Sequence, residues 1–243
     1  MRVAFGLTGV AAVFWASTVL PVFRASTPAR EIASRILAGD RFKPGMIDGL
    51  LASIDRSPKL PLVSHVVVRA EALLRVRGAE EAMVRSGSDK ADLGIIVSEK
   101  KVRHSLTLNP ADSFLWLMLY SLSSTLNGFD VRTIDNLDQS YVNGPLEGWI
   151  ALRRNRFALA AFPMLSEATQ QKAEIEFAAM VDSGLVEQAV INFTSVGWEQ
   201  RDRLLVSLER ADVISREQFA KRLARDGVKV NVPGIVIEER FGR

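Results

Sequence analysis

The 243-residue chain has no cysteine and only two histidines, and these shortages exclude several kinds of chemistry. Without cysteine there can be no disulfide bond, no thiolate zinc site and no cysteine nucleophile. The two histidines, His65 and His104, lie 39 positions apart, whereas a metal site needs ligands at close spacing. The sequence therefore predicts no metal site and no cofactor.

The motifs of common enzyme classes are absent as well. The chain contains no Gly-x-Gly-x-x-Gly, no Walker loop, no Gly-x-Ser-x-Gly and no His-Glu-x-x-His. Asp135, Asp138 and Glu147 could supply a pair of carboxylates for acid–base catalysis. The first two, however, fall on a helix face that is predicted to be exposed to solvent. We therefore predict that the protein is not an enzyme, and keep a glycan-modifying enzyme using these carboxylates as an alternative.

The chain also lacks a concentrated excess of positive charge. Lys and Arg number 31 against 28 Asp and Glu, and both signs are interspersed along the chain. Nucleic-acid-binding domains cluster their basic residues on one face. The basic clusters here, 99–104 and 153–156, are short, so we predict no nucleic-acid partner.

One long segment has no charge at all. Val3 to Phe23 is a run of 21 uncharged residues between Arg2 and Arg24. As a helix it would be about 31 Å long, which is enough to cross the hydrocarbon core of a bilayer. We predict a transmembrane signal anchor over residues 1–24, with a cleaved signal peptide or a buried core helix as alternatives.

The residues on the two sides of this segment indicate opposite orientations in the membrane. Arg24, Arg30, Arg35 and further basic residues come after it, which under the positive-inside rule would keep the rest of the chain in the cytoplasm. A very short N-terminal tail before the first apolar segment is instead typical of bacterial signal anchors, which export the remainder of the polypeptide. We favour a single-pass protein of the bacterial inner membrane whose soluble domain lies in the periplasm.

Beyond the apolar segment, the sequence predicts one helix after another. Thr27 followed by Pro28 begins a helix that Gly39 ends. Another helix is predicted from Asp112 to Leu126, where Asp112 or Ser113 can act as the N-cap after Pro110. Asn127-Gly128 is predicted to form the left-handed turn that follows this helix. This pattern continues with short connections and predicts an all-α domain over residues 25–227.

The end of the chain departs from this pattern. Ser166 is predicted to cap a helix that Gly184 ends, and Ser215 with Gln218 forms a capping box for a later helix. Only residues 228–243 alternate in hydropathy with a period of two. We predict a short β or extended tail there.

One helical junction resembles that of tetratricopeptide (TPR) repeats. Leu106-Thr107-Leu108-Asn109-Pro110 is followed by Trp116, Leu119 and Gly128 at the family's spacing. Asn143 and Trp149 follow Asn109 and Trp116 after 34 and 33 residues, and Gly184 and Ala189 match the family's close helix crossing. The chain departs from the family's pattern elsewhere. Small residues are expected at the positions of Tyr120, Thr133, Arg153 and Phe177, and Pro163 falls inside an expected second helix.

The resemblance implies a stack of antiparallel helical hairpins with Trp116 and Leu119 on buried faces. The alternative is an unrelated helical bundle. A second resemblance concerns residues 143–160, "NGPLEGWIALRRNRFALA", which are similar to small membrane-anchored TPR-like proteins found near bacterial surface-polysaccharide export genes. It implies an accessory role in envelope polysaccharide assembly or export.

The TPR-like register implies a concave groove lined by the first helix of each hairpin. Its expected partner-binding residues are Ser121, Ser124, Glu147, Arg154, Gln171 and Glu174. Such a groove would hold a peptide or helix of a protein partner through hydrogen bonds and Arg–carboxylate pairs. The expected function is a non-catalytic, membrane-anchored interaction adaptor, with a structural subunit of a larger membrane complex as the alternative.

Overall fold

The computed structural model is helical over most of the residues that it describes. Those residues are 9, 13–17, 20, 28–40, 42–43, 45–56, 64–85, 88–128 and 130–236. The described residues contain no β-strand, so the predicted all-α class is confirmed.

The helices follow one another with short connections. Residues 28–37 form α1, and the later α-helices are α2 Met46–Arg56, α3 His65–Arg85, α4 Ser88–Leu108, α5 Ser113–Asn127, α6 Val131–Asn143, α7 Gly148–Ala160, α8 Glu167–Asp182, α9 Val186–Thr194, α10 Arg201–Ser207 and α11 Val213–Arg225. Single 3₁₀ turns lie at Phe162–Met164, Trp198–Gln200 and Leu208–Arg210.

Several helix ends lie where the sequence predicts them. Asp112 caps α5, because its Oδ1 accepts a hydrogen bond from the backbone N–H of Leu115 at 3.1 Å. Ser166 caps α8 by accepting from the N–H of Thr169 at 3.3 Å. Gly128 and Gly184 follow their helices with φ of 72° and 78°, a left-handed conformation that favours glycine. The predicted caps at these positions are confirmed.

The predicted capping box of Ser215 and Gln218 is wrong. Helix α11 begins earlier, at Val213, and Asp212 is its N-cap through a 2.8 Å bond from the N–H of Ile214. Aspartate caps a helix as well as serine does, and it comes first in the chain. Ser215 lies inside the helix, where its hydroxyl donates to the carbonyl of Asp182 at 3.4 Å.

The beginning of the tail folds back on α11 without forming a strand in residues 228–236. Val232 is buried, and Arg216 donates from Nη1 to the carbonyl of Pro233 at 2.7 Å. Residues 237–243 of the predicted tail lie outside the described residues.

No helix in the described part of the chain is long and apolar enough to span a membrane. The predicted anchor, Val3 to Phe23, lies largely outside the described residues. Within it, residues 13–17 are helical, and Val13, Phe14 and Trp15 are exposed over 70–71% of their surface.

The chain divides into two compact units. The first holds α1 to α4 and residues Ser121–Leu126 of α5, and the second holds Asp112–Tyr120 and the chain from Asn127 onward. The predicted domain limits at residues 24 and 227 stay predictions.

In the first unit, the long helices α3 and α4 pack along each other. A Cβ on Gly94 of α4 would lie 3.8 Å from the Cβ of Ala79 on α3, which shows how closely the two backbones approach. On α3, Arg75 pairs with Glu71 at 2.9 Å and with Asp55 of α2. These contacts fix α2, α3 and α4 as one body.

In the second unit, α8 is the central helix, and it packs against α7, α9, α10 and α11. Phe177 on α8 is fully buried, with its ring centroid 6.1 Å from Phe193 on α9 and 5.8 Å from Phe219 on α11. Burial of each such side chain contributes about 1.5–3 kcal/mol. This aromatic cluster forms the core on one side of α8, and α7 covers another side.

Candidate partner-binding surface

The predicted groove residues do not share one environment. Ser121 and Ser124 are half-buried residues of the first unit, and Ser124 donates its hydroxyl hydrogen to the carbonyl of Ser121 at 3.0 Å. In the second unit, Gln171 is exposed, whereas Glu174 is half-buried and pairs with Nε of Arg203 at 2.6 Å. The role of these four residues in partner binding stays a prediction.

The placement of Arg154 on a groove surface is wrong. Its side chain is 0% exposed, so it cannot meet a partner on the folded domain. The predicted register misplaces it because adjacent helical residues point about 100° apart. Its neighbour Arg153 is exposed instead, as is Arg156 further along α7.

Arg154 instead forms an ion pair inside the second unit. Its Nε and Nη2 both donate to Oε1 of Glu176 on α8, at 2.9 and 2.5 Å. The second carboxylate oxygen, Oε2, accepts the hydroxyl hydrogen of Tyr141 at 2.8 Å. The guanidinium carbon also lies 4.2 Å from the centre of the Tyr141 ring. A charge this deeply buried persists only when it is paired and hydrogen-bonded, and these contacts meet that requirement.

The remaining nitrogen of Arg154 binds the end of α6. Nη1 donates to the carbonyl of Ser140 at 2.8 Å, and Ser113 at the start of α5 donates its hydroxyl hydrogen to the same carbonyl at 2.8 Å. Carbonyls in the last helical turn lack partners within the helix and attract positive charge. Arg154 therefore caps α6 from α7 and connects it to the start of α5.

Burial sets the acid–base behaviour of this cluster. Burial raises the pKa of Glu176 above its usual value, although the charge of Arg154 acts in the opposite direction. Burial and the charge of Glu176 hold the pKa of Tyr141 well above 10. The Tyr141 phenol thus stays protonated and keeps donating to Glu176 at ordinary pH.

Above this cluster, α7 presents an exposed face that we call the Trp149 surface: Leu146, Trp149, Leu152, Arg153 and Arg156. The four helical members recur at the spacings i, i+3, i+4 and i+7, which place them on one side of α7. Leu146, in the preceding connection, is 57% exposed, and Trp149 and Leu152 are 42% and 38% exposed. Tryptophan and arginine are among the residue types enriched at positions that dominate the binding energy of protein interfaces.

The indole of Trp149 is held in place on two sides. Its Nε1 donates to Oε2 of Glu147 at 3.0 Å, and its ring packs on Phe114 of α5 with centroids 5.0 Å apart. The guanidinium carbon of Arg153 lies 6.0 Å from the centre of the same Phe114 ring. Because these contacts restrict the ring before any partner arrives, binding it would lose little side-chain entropy.

The connection before α7 has an unusual backbone. Leu146 has a φ of 58°, in the left-handed region that non-glycine residues rarely adopt. Nearby, a Cβ on Gly144 would lie only 2.6 Å from both the Cβ of Ser113 and Oε1 of Glu147. The connection therefore passes so close to Ser113 that only glycine fits, and it holds the exposed Leu146 in a strained conformation.

Two other features of the described residues give weaker evidence of a functional site than the Trp149 surface does. Helix α4 exposes Leu93, Ile96 and Val97 beside an open groove of about 310 Å³, but the residues that line the groove include no aromatic side chain. No group of three potential metal ligands occurs among the described residues. Of the predicted carboxylates, Glu147 is engaged by Trp149, and Asp135 is exposed.

Comparison with family models, curated proteins and solved structures gives no match for this chain. The Trp149 surface is therefore defined by its geometry alone. Sequence reasoning assigned Glu147, which contacts this surface, to partner binding. It named Trp149 and Arg153 only in the comparison with the TPR pattern, and it did not single out Leu146, Leu152 or Arg156. One signal was available: α7 carries three arginines and no acidic residue, and a tryptophan lies in its first turn.

Proposed function

We propose that this protein is a membrane-anchored, TPR-like adaptor that binds a protein partner through the Trp149 surface. The observation that carries the proposal is the exposed but immobilised indole of Trp149, flanked by exposed leucines and arginines. Surfaces that combine a rigid aromatic side chain with apolar neighbours and arginine are typical of interface centres.

Packing within the second unit supports the TPR-like part of the proposal. Beyond contacts between successive helices, α6 contacts α8, and α7 contacts α9. Such contacts between alternate helices arise when each helical hairpin stacks on the next one. Stacked hairpins present rows of side chains on the outer faces of alternate helices, and α7 would be one of these helices.

The apolar segment Val3 to Phe23 supports the anchor. The location of the soluble part in the periplasm of a bacterial cell is part of the same proposal. An accessory role in polysaccharide assembly or export is the setting that the resemblance of residues 143–160 favours. In that role the protein would hold another envelope protein next to the inner membrane, and catalysis would belong to that partner.

A charged residue introduced on the Trp149 surface tests whether the protein binds its partner there. Leu152→Asp should abolish co-purification of the partner from native membranes, since a carboxylate in the centre of an apolar contact loses its hydration. Ile191→Asp on α9, where the side chain is 49% exposed, is the matched control and should leave co-purification unchanged. Equal recovery of the partner with both variants would contradict the proposal.

A second candidate function is a structural subunit of a larger membrane complex. The observation that favours it is the exposed apolar row Leu93, Ile96 and Val97 on α4, which broad subunit packing could cover. If it holds, the domain without residues 1–24 aggregates when produced alone, whereas a soluble monomer argues against it.

A further inference from the structure

We infer that Arg154 is a positioning residue that preorganises the Trp149 surface from beneath. This inference rests on the proposed function of that surface, and it assigns the buried ion pair a role other than net stability. Its basis is a continuous path of contacts from the ion pair to the exposed indole.

The path begins at Nη1 of Arg154, which lies 3.2 Å from Oγ of Ser113 and 2.8 Å from the carbonyl of Ser140. Ser113 begins α5, and the next residue, Phe114, is the ring on which Trp149 packs. By holding Ser113, Arg154 therefore fixes the position of the Phe114 ring beneath the indole.

A second branch of the path reaches the connection between α6 and α7. The carbonyl of Ser140 accepts from the backbone N–H of Gly144 at 3.3 Å as well as from Arg154. Gly144 in turn lies against Ser113, with no room for a side chain. The same carbonyl thus fixes the start of the segment that holds Leu146 in its left-handed conformation and places Glu147 beside Trp149.

The chemistry of the pair favours positioning over stabilisation. Removing two charges from water offsets most of their attraction, and well-packed apolar residues commonly replace a buried ion pair without loss of stability. An apolar side chain cannot, however, hold Glu176 and the Ser140 carbonyl at the same time. The planar guanidinium does so because its donors point in fixed, divergent directions.

Hydrogen–deuterium exchange of the full-length protein tests the inference without any partner. Arg154→Met, Glu176→Met and Tyr141→Phe, combined in one variant, replace the polar cluster by apolar groups of similar size. The matched control combines Arg203→Met with Glu174→Met, which removes the 2.6 Å ion pair between α10 and α8 in the same unit.

We expect amide exchange at Gly144, Ile150 and Ala151, whose N–H groups donate to the carbonyls of Ser140 and Glu147, to become faster by about tenfold or more in the combined variant, while exchange in α11 and the helical circular dichroism stay unchanged. The control variant should exchange like the unmodified protein at these three amides. Unchanged exchange there in a folded combined variant, or an equal acceleration in every helix, would overturn the inference.

Ser113→Ala provides a milder test in case the combined variant does not fold. It removes the hydroxyl that contacts Arg154 and Ser140 and leaves the ion pair intact. Exchange at Gly144, Ile150 and Ala151 should again rise selectively, and an unchanged rate would overturn the inference. A selective rise together with Leu152→Asp having no effect on partner recovery would contradict the proposed function and leave the positioning role standing.

Discussion

Nε of Arg154 lies 2.9 Å from Oε1 of Glu176, and neither side chain is more than 1% exposed. The pair joins α7 to α8 across 22 positions of sequence. Through Nη1 it also reaches the end of α6, so three successive helices meet at one guanidinium. The exposed indole of Trp149 lies on the opposite side of the same helix.

The first prediction concerns the free energy of unfolding. Arg154→Met alone should destabilise the protein by about 3–5 kcal/mol, because Glu176 would remain buried without its partner. Glu176→Met alone should cost a similar amount, and the two together much less than the sum. Urea denaturation followed by circular dichroism measures these values. Additive losses would show that the two side chains are not energetically coupled.

The second prediction concerns the two tyrosines, Tyr120 and Tyr141, which are both buried. Burial raises the pKa of Tyr120 to about 12, and that of Tyr141 lies well above 10. The phenolate absorbance of the folded protein should therefore not develop near pH 10, where exposed tyrosines ionise. An ultraviolet titration with a sigmoid centred near pH 10 would contradict this.

The same shifts predict how stability depends on alkaline pH. The unfolded chain loses phenol protons near pH 10, before the folded protein does. The tyrosine contribution to stability is therefore complete below pH 10 and decreases as the pH rises above it. Urea midpoints measured between pH 8 and pH 11 should fall only in the upper part of that range.

The third prediction compares two glycines beside α7. Gly144→Ala should destabilise by about 1–3 kcal/mol, since the new Cβ would overlap Ser113 and Glu147. Gly148→Ala should stabilise by about 0.4–1 kcal/mol, because no atom lies within 4 Å of that Cβ and the residue is already helical. Thermal unfolding measures both, and a neutral Gly144→Ala would show that the connection is loosely packed.

The fourth prediction concerns the membrane anchor. If Val3 to Phe23 spans the bilayer, the full chain should stay with membranes in high salt and alkaline carbonate and dissolve only in detergent. A chain that lacks residues 1–24 should appear in the soluble fraction. Release of the full chain by salt alone would contradict a transmembrane anchor.

Local features of the fold could be predicted from the sequence. Asp112 and Ser166 were correctly predicted as caps, and Gly128 and Gly184 as helix ends, because each depends on residues only a few positions away. Ser215 was mistaken for a cap because Asp212, three residues earlier, offers the same chemistry. Two residues with the same capping chemistry compete here, and the helix begins after the earlier one, Asp212.

The candidate surface could be predicted only in part. Whether α7 points Arg153 or Arg154 outward depends on Glu176 and Ser140, which lie on other helices. No pattern within α7 distinguishes two adjacent arginines. The strained backbone at Leu146 is likewise a consequence of how closely Gly144 approaches Ser113, which only the folded structure shows.

The most direct test of the adaptor is photocrosslinking in native membranes, with a photoreactive phenylalanine analogue in place of Trp149 in the full-length protein. We expect a discrete crosslinked species that contains a second protein and that Leu152→Asp removes. The same analogue at Glu209, which is exposed on another part of the second unit, should give no such species. Identical products from both positions, or none from position 149, would contradict partner binding through the Trp149 surface.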